Sequence, residues 1–273
     1  LEFRRVLFRS VSKQGFVYTF DRVTGQPVWP IEERPVPQSD VPGERTSPTQ
    51  PFPTKPAPFE RQGVSVDVLN DLTPEIKEEA IRIASQYKMG PIFTPPVAQG
   101  VDGKLGTLML PNVSGGSNWE GAAVDPETGI LYVPSVTEIS NPALVRPESG
   151  RSDMGWIGRG GAHIVGPFGL PLVRPPWGRL TAIDMNTGEH LWMKPNGAAP
   201  DVVKNNPKVQ GIDLSQAGNP SRNMLLVTKS LLFAGEGSGM FNPAPGAGGP
   251  AFRAMDKKTG RDRKSTRLNS SHT

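Results

Sequence analysis

One turn is written into this chain four times. Asp-x-x-Thr-Gly occurs at Asp21, Asp125, Asp184 and Asp256, each time after a short run of β-forming residues. The Asp carboxylate can accept backbone N–H bonds across such a turn, and the Gly can take its positive-φ position. In two copies a Trp follows the Asp by eight residues, at Trp29 and Trp192. The copy beginning at Ala182 reads Ala-x-Asp-x-x-Thr-Gly-x-x-x-Trp, and the copy at Ala254 repeats its first seven positions, with Lys264 in the Trp slot. The copy at Asp125 has no Trp and reads as a different hairpin. A small twisted sheet cannot bury both faces alone, and a bulky aromatic at a fixed place lets each unit dock on the next. The repeat therefore predicts an all-β fold of propeller type. The bland alternative is that the motif is only a common hairpin turn.

The rest of the pattern fits around these turns. Gly15–Phe20, Leu180–Ile183 and Phe252–Met255 read as strands entering a turn; Trp119–Val124 with Ile130–Val133, and Met224–Thr228 with Leu231–Ala234, read as hairpins. Residues 30–63 hold nine prolines and predict an extended surface excursion. One short helix stands out. Pro74 suits its first position after Thr73, and Ile76, Ala80, Ile83, Ala84 and Tyr87 recur at helical spacing. Lys88 falls in its expected last turn and Gly90 at its end. Glu75, Lys77, Glu78, Glu79 and Arg82 form its solvated face.

Composition sharpens the class. Gly 31 and Pro 30 in 273 residues punctuate the chain too often for long helices, while 36% hydrophobic residues suffice for a core. With no cysteine, disulfides, thiolate metal sites and thiol catalysis are excluded. No apolar run approaches the ~20 residues of a membrane-spanning helix. A net charge of +4 would suggest nucleic acid, but it resides wholly in the two ends. Residues 1–10 and residues 262–273 each carry +2 and leave the body neutral. Both ends lack periodicity and resemble translated adaptor or vector sequence, so residues 1–10 and 262–273 are expected to be non-native flanks around a body of residues 11–261. Native basic tails are the alternative.

The eleven-residue repeat resembles the tryptophan-docking motif of the pyrroloquinoline-quinone (PQQ) dehydrogenases, eight-bladed β-propellers. The run Trp29-Pro-Ile-Glu-Glu-Arg-Pro-Val-Pro-Gln-Ser-Asp-Val-Pro-Gly-Glu44 and the run Ser47-Pro-Thr-Gln-Pro-Phe-Pro53 are similar to the membrane-bound glucose dehydrogenase branch. So are Ile92-Phe-Thr-Pro-Pro96, Gly169-Leu-Pro171 and Pro176-Trp-Gly178. The resemblance spans residues 11–261 and implies the later part of a longer enzyme, about three to four blades. It also implies that the catalytic Asp, the Ca²⁺ ligands and an amino-terminal membrane anchor lie upstream of Lys13.

PQQ is a flat ortho-quinone with several carboxylates, so a site for it should offer cations, an aromatic surface and amide donors. The resemblance places such groups at three residues. Lys13, in Lys-Gln-Gly-Phe-Val-Tyr, matches the basic residue near the quinone oxygens and is the catalytic candidate. Asn118 and Trp119, in Gly-Gly-Ser-Asn-Trp-Glu-Gly, match the Asn-Trp pair at the propeller mouth and join Lys13 as cofactor-binding candidates. The bland readings are a solvated strand-entrance Lys and an ordinary core Trp. Trp29 and Trp192 are expected to be structural. Glu236, in a Gly-rich turn, is a weaker substrate-contact candidate, and His163, His190 and His272 lack metal-ligand spacing.

The resemblance implies oxidation of a sugar or other polyol hydroxyl, glucose-type, with PQQ and Ca²⁺ as cofactors. Electrons would pass to ubiquinone on the periplasmic side of the bacterial inner membrane, with no nucleic-acid partner. The chain alone is expected to be inactive. The competing reading from a different class is a non-catalytic propeller acting as a binding or assembly scaffold, as in outer-membrane assembly lipoproteins with PQQ-like repeats.

Overall fold

In the computed structural model, residues 7–161, 164–237 and 246–267 are described. The chain forms β1 (Leu7–Val11), β2 (Val17–Asp21), β3 (Ile31–Pro35), β4 (Thr49–Pro53), α1 (Pro74–Ala84), β5 (Ala123–Asp125), β6 (Ile130–Val136), β7 (Ala143–Val145) and β8 (Ile157–Arg159). It continues with β9 (Gly178–Asp184), β10 (Glu189–Pro195), α2 (Asp201–Lys204), β11 (Leu225–Val227), β12 (Leu231–Gly235), β13 (Ala251–Asp256) and β14 (Asp262–Arg267). The fold is mostly β. Two four-stranded antiparallel sheets, in spatial order β5-β6-β9-β10 and β11-β12-β13-β14, are accompanied by the two-stranded pairs β1-β2, β3-β4 and β7-β8.

The four turns share one geometry. Asp21 Oδ1 accepts from the amides of Val23 and Thr24, and Asp256 Oδ1 from those of Lys258 and Thr259. Asp125 and Asp184 each take the amide two residues on. In every copy the turn Gly has positive φ and donates its N–H to the Asp carbonyl. Their places in the sheets differ. The Asp184 and Asp256 turns join the third and fourth strands of their sheets, whereas the Asp125 turn joins the first and second. After Asp21 the chain makes only a bridge from Phe20 to Pro27.

Alternation along β6 and β9 shows how the sheets stack. Leu131, Val133 and Ile183 pack with Val17, Phe59 and Trp29 towards the β1-β2 hairpin. On the other face Tyr132, Leu180 and Ala182 pack with Leu232, Ala234, Met255 and Trp192 towards the β11-β12-β13-β14 sheet. This period-two division gives the central sheet two buried faces. Each Trp reaches the turn of the next unit: a Cβ on Gly188 would fall 3.2 Å from Trp29, and one on Gly260 would fall 3.0 Å from Trp192. Lys264 faces Ala254 as Trp192 faces Ala182.

Several sequence expectations change in detail. The Pro-rich excursion is not simply extended: β3 and β4 pair within it, and it ends in buried Phe59 and Glu60. Helix α1 starts as expected, with Thr73 Oγ1 accepting from the Ile76 amide and Ile76, Ala80 and Ala84 buried. It ends a turn early, capped at Ser85. Lys88 instead exchanges backbone hydrogen bonds with the segment at Gly106–Leu108 and pairs with Asp40 at 2.8 Å. The strand expected from Trp119 begins only at Ala123, because Gly121 turns the chain at φ +66°. Of the residues expected to be flanks, 7–10 pair within β1 and 262–267 pair as β14. His163 and His272 lie outside the described residues.

Candidate functional site

Lys13 and Gln14 are the exposed central residues of the β1-β2 hairpin turn. The turn closes through Gly15 N–H to Ser12 O at 3.0 Å, with Ser12 Oγ accepting from the Phe16 amide. Three outside contacts fix it. Gly116 N–H donates to Lys13 O at 2.9 Å, Gln62 Nε2 to Gln14 O at 2.7 Å, and Phe59 N–H to Gly15 O at 2.9 Å. Lys13 also borders a cavity of about 170 Å³ whose wall is largely apolar, including Ile92, Phe93, Leu108 and Leu110, with Asn112 at the same rim.

The loop carrying the other two candidates is pressed against this turn. Gly115 has φ +90°, and a Cβ there would stand 2.6 Å from Lys13 Cβ, so only Gly allows this approach. Asn112 starts the loop, its Oδ1 accepting from the Ser114 amide and its Nδ2 donating to Glu138 at 2.8 Å. Asn118 Nδ2 donates to Ser114 O at 2.9 Å, and Asn118 O accepts from Gly121 N–H. The structure thus brings the turn of Lys13 and the loop of Asn118 together. Trp119 is not a core aromatic: it is 97% exposed.

Beneath both segments lies Glu60, fully buried, with Gly116 so close that a Cβ there would fall 2.8 Å from Glu60 Cγ. Its Oε1 accepts from Arg179 Nη2, from Thr137 Oγ1 at 2.7 Å and from the Arg61 amide at 2.8 Å. The Arg61 guanidinium donates to the carbonyls of Arg174 and Pro175. Burial, reinforced by the positive charge of Arg179, pulls Arg61 down to about 10. A second pair, Arg222 with Glu120, holds the outer end of the loop. Sequence reasoning singled out neither pair: their partners lie 119 and 102 residues apart, and no local motif announces them.

Other candidates are taken up by the fold. Glu236 accepts from the Ala251 amide and lies 3.8 Å from Arg253; His190 Nε2 is 3.0 Å from Ala57 O. Among the described residues no group of three or more His, Cys, Asp or Glu is placed to hold a metal ion, so these residues do not fit a Ca²⁺ site. Among the described residues, too, no helix is long and apolar enough to cross a membrane. The donor set around Lys13 does fit a planar, polycarboxylated quinone: an exposed ammonium, an exposed indole and a side-chain amide lie on two segments in contact.

Residues 5–273 match the family model described as PQQ: glucose/ethanol/alcohol dehydrogenase, beta-propeller domain. The chain is 31% identical to the glycerol dehydrogenase large subunit of Gluconobacter thailandicus over 232 residues, covering 69% of this chain and 28% of that protein. It is 30% identical to the quinoprotein glucose dehydrogenase of Escherichia coli, covering 70% and 26%. It is 27% identical to the quinate/shikimate dehydrogenase (quinone) of Acinetobacter baylyi, covering 70% and 25%. The chain thus spans about a quarter of the length of these curated relatives. It belongs to the PQQ-dependent, or quinoprotein, dehydrogenase family of β-propeller proteins.

Proposed function

We propose that this chain supplies the Lys13 and Asn118 side of the cofactor site in a PQQ-dependent dehydrogenase that oxidises a hydroxyl of a sugar or other polyol. The observation that carries this reading is the contact of two segments, sealed by Gly116 N–H on Lys13 O, that join a cation, an amide and an exposed indole. When bound, PQQ supplies a two-electron acceptor for the carbinol being oxidised. Lys13, on a turn whose backbone is fixed by Gly116, would place its ammonium where it could stabilise negative charge on the oxygens of a bound quinone. Asn118 orients the cofactor edge, and Trp119 offers a face for stacking. The buried Glu60–Arg179 pair keeps the floor beneath both segments fixed.

In this reading the three β units are about three to four blades of an eight-bladed propeller, with Trp29 and Trp192 as docking residues; their contacts at Gly188 and Gly260 support it. The catalytic base and Ca²⁺ ligands come from outside this chain, which alone has no turnover. Electrons pass to ubiquinone on the periplasmic side of the bacterial inner membrane. The apolar cavity beside Lys13 suits the weakly polar ring of such an acceptor. Names of the relatives favour sugars and polyols as substrates.

The test is reconstitution of the complete dehydrogenase carrying this segment with PQQ and Ca²⁺, followed by dye reduction across glucose, other polyols and primary alcohols. Cofactor-dependent turnover with a polyol is expected. No activity with any of them would overturn the enzyme reading and favour a scaffold.

A further inference from the structure

The loop that carries Asn118 and Trp119 is held by a residue from the segment that enters a different sheet. Arg222 lies just ahead of β11, the first strand of the β11-β12-β13-β14 sheet, while the loop leads into β5, the first strand of the β5-β6-β9-β10 sheet. Its Nη1 donates to Glu120 Oε1 at 2.9 Å and its Nη2 to Gly115 O at 2.7 Å. The same Glu120 oxygen accepts the Asn118 backbone N–H at 3.0 Å. One guanidinium therefore grips the loop at both ends, with Asn118 and Trp119 between the grips.

Two features argue that the grip is for presentation. The pair is nearly buried, at 9% and 10% side-chain exposure, and Arg222 Nε is buried without a hydrogen-bond partner among the described residues. An ion pair so placed adds little stability over an apolar replacement, because desolvation offsets the attraction, but it does specify geometry. Meanwhile Trp119, flanked by the gripped residues, is left 97% exposed, forgoing the burial that ordinarily draws an indole inward. A chain that spends a buried ion pair on keeping a Trp in solvent is holding that ring ready for a ligand.

We propose that Arg222, acting through Glu120, is a positioning residue that presents Trp119 and the Asn118 amide to a planar, carboxylate-bearing ligand and ties that edge of the site to the β11-β12-β13-β14 sheet. This rests on the PQQ reading above. It makes Arg222 a determinant of cofactor affinity without contact between the two.

The test uses the complete dehydrogenase carrying this segment and two readouts: hydrogen exchange of the loop amides in the cofactor-free protein, and PQQ affinity by fluorescence titration. Arg222→Ala should speed exchange at Asn118 and Gly121 at least tenfold and weaken PQQ binding at least tenfold. Arg222→Lys, which can reach Glu120 but lacks the fork, should fall between. In an Asn118→Ala/Trp119→Ala background, Arg222→Ala should cost less than threefold further. If Arg222→Ala does not fold, Glu120→Ala, which removes the shared acceptor of Arg222 and the Asn118 amide, carries the same expectations. Unchanged loop exchange and affinity in the Arg222 variant, beside weakened binding in Asn118→Ala, would overturn the proposal alone. Unchanged PQQ affinity in Asn118→Ala/Trp119→Ala would overturn the cofactor reading and the proposal with it.

Discussion

The indole Nε1 of Trp192 donates to the backbone carbonyl of Lys257, 3.2 Å away, and so joins the last strand of one sheet to the turn of the next. The same carbonyl accepts the Tyr132 hydroxyl at 3.1 Å, and the two rings lie 5.9 Å apart. Burial, with the nearby charges of Asp125 and Asp256, pushes the Tyr132 phenol up to about 12. Trp192→Ala should therefore destabilise the protein by about 3 kcal/mol, the usual cost of deleting a packed aromatic. Trp192→Phe should cost less. Gly260→Ala should also destabilise, since its φ is +66° and the added Cβ would lie 3.0 Å from the Trp192 ring. Thermal melts of the three variants check this ordering.

The side chain of Lys257 completes the joint. Its Nζ is 2.5 Å from Asp125 Oδ2, with both side chains almost fully buried. Burial alone would push the Asp125 carboxyl up; hydrogen bonds from Lys257, Thr128 and the Glu127 amide, with the Lys257 charge, outweigh it and hold it below its ordinary value. A carboxyl lowered by folding stabilises the fold above its unfolded pKa near 3.8, and that contribution is lost as pH falls through the folded value. Asp256, lowered to about 2 by Arg263 and the turn amides, titrates on the same acid side. Asp125→Asn should cost about 3 kcal/mol at pH 7 by leaving Lys257 without its counter-charge. The gap in melting temperature between variant and wild type should narrow as pH drops below about 4, where the unfolded-state carboxyl takes up its proton while the folded one still resists, and should close once pH falls through the lower folded value.

Trp119 separates folding from function. Being almost fully exposed, it should be replaceable by Ala with a stability change within about 0.5 kcal/mol. PQQ affinity in the same variant should fall about tenfold, in line with loss of an aromatic stacking face. Melting and cofactor titration on one preparation suffice to compare the two.

Gly115→Ala probes the contact between the two site segments. The new Cβ would stand within 2.7 Å of Lys13 Cα, Cβ and Cγ, on a backbone at φ +90°. The hairpin turn must move, so turnover should fall strongly even though the substituted residue carries no chemistry. Steady-state kinetics on the reconstituted enzyme read this directly.

What could be read from the sequence was what is local. Asp21, Asp125, Asp184 and Asp256 build their turns from bonds spanning two to four residues, so the motif carries its own geometry. Thr73 and Pro74 likewise announce the start of α1, whereas its early end depends on Lys88 pairing with a distant segment. The contact of Lys13 with Gly115, the Glu60–Arg179 floor and the Arg222–Glu120 grip all join residues about a hundred positions apart. Nothing short-range encodes them. Resemblance named Lys13, Asn118 and Trp119, but the residues that hold them in place became visible only in three dimensions.

The central claim is that Lys13 works on a bound cofactor, and dye-coupled turnover of the Lys13→Ala enzyme, saturated with PQQ, tests it most directly. The expected result is a loss in kcat on the order of 100-fold, the scale of removing one donor to a developing negative charge, with an unchanged melting temperature. An unchanged kcat at saturating PQQ would contradict it.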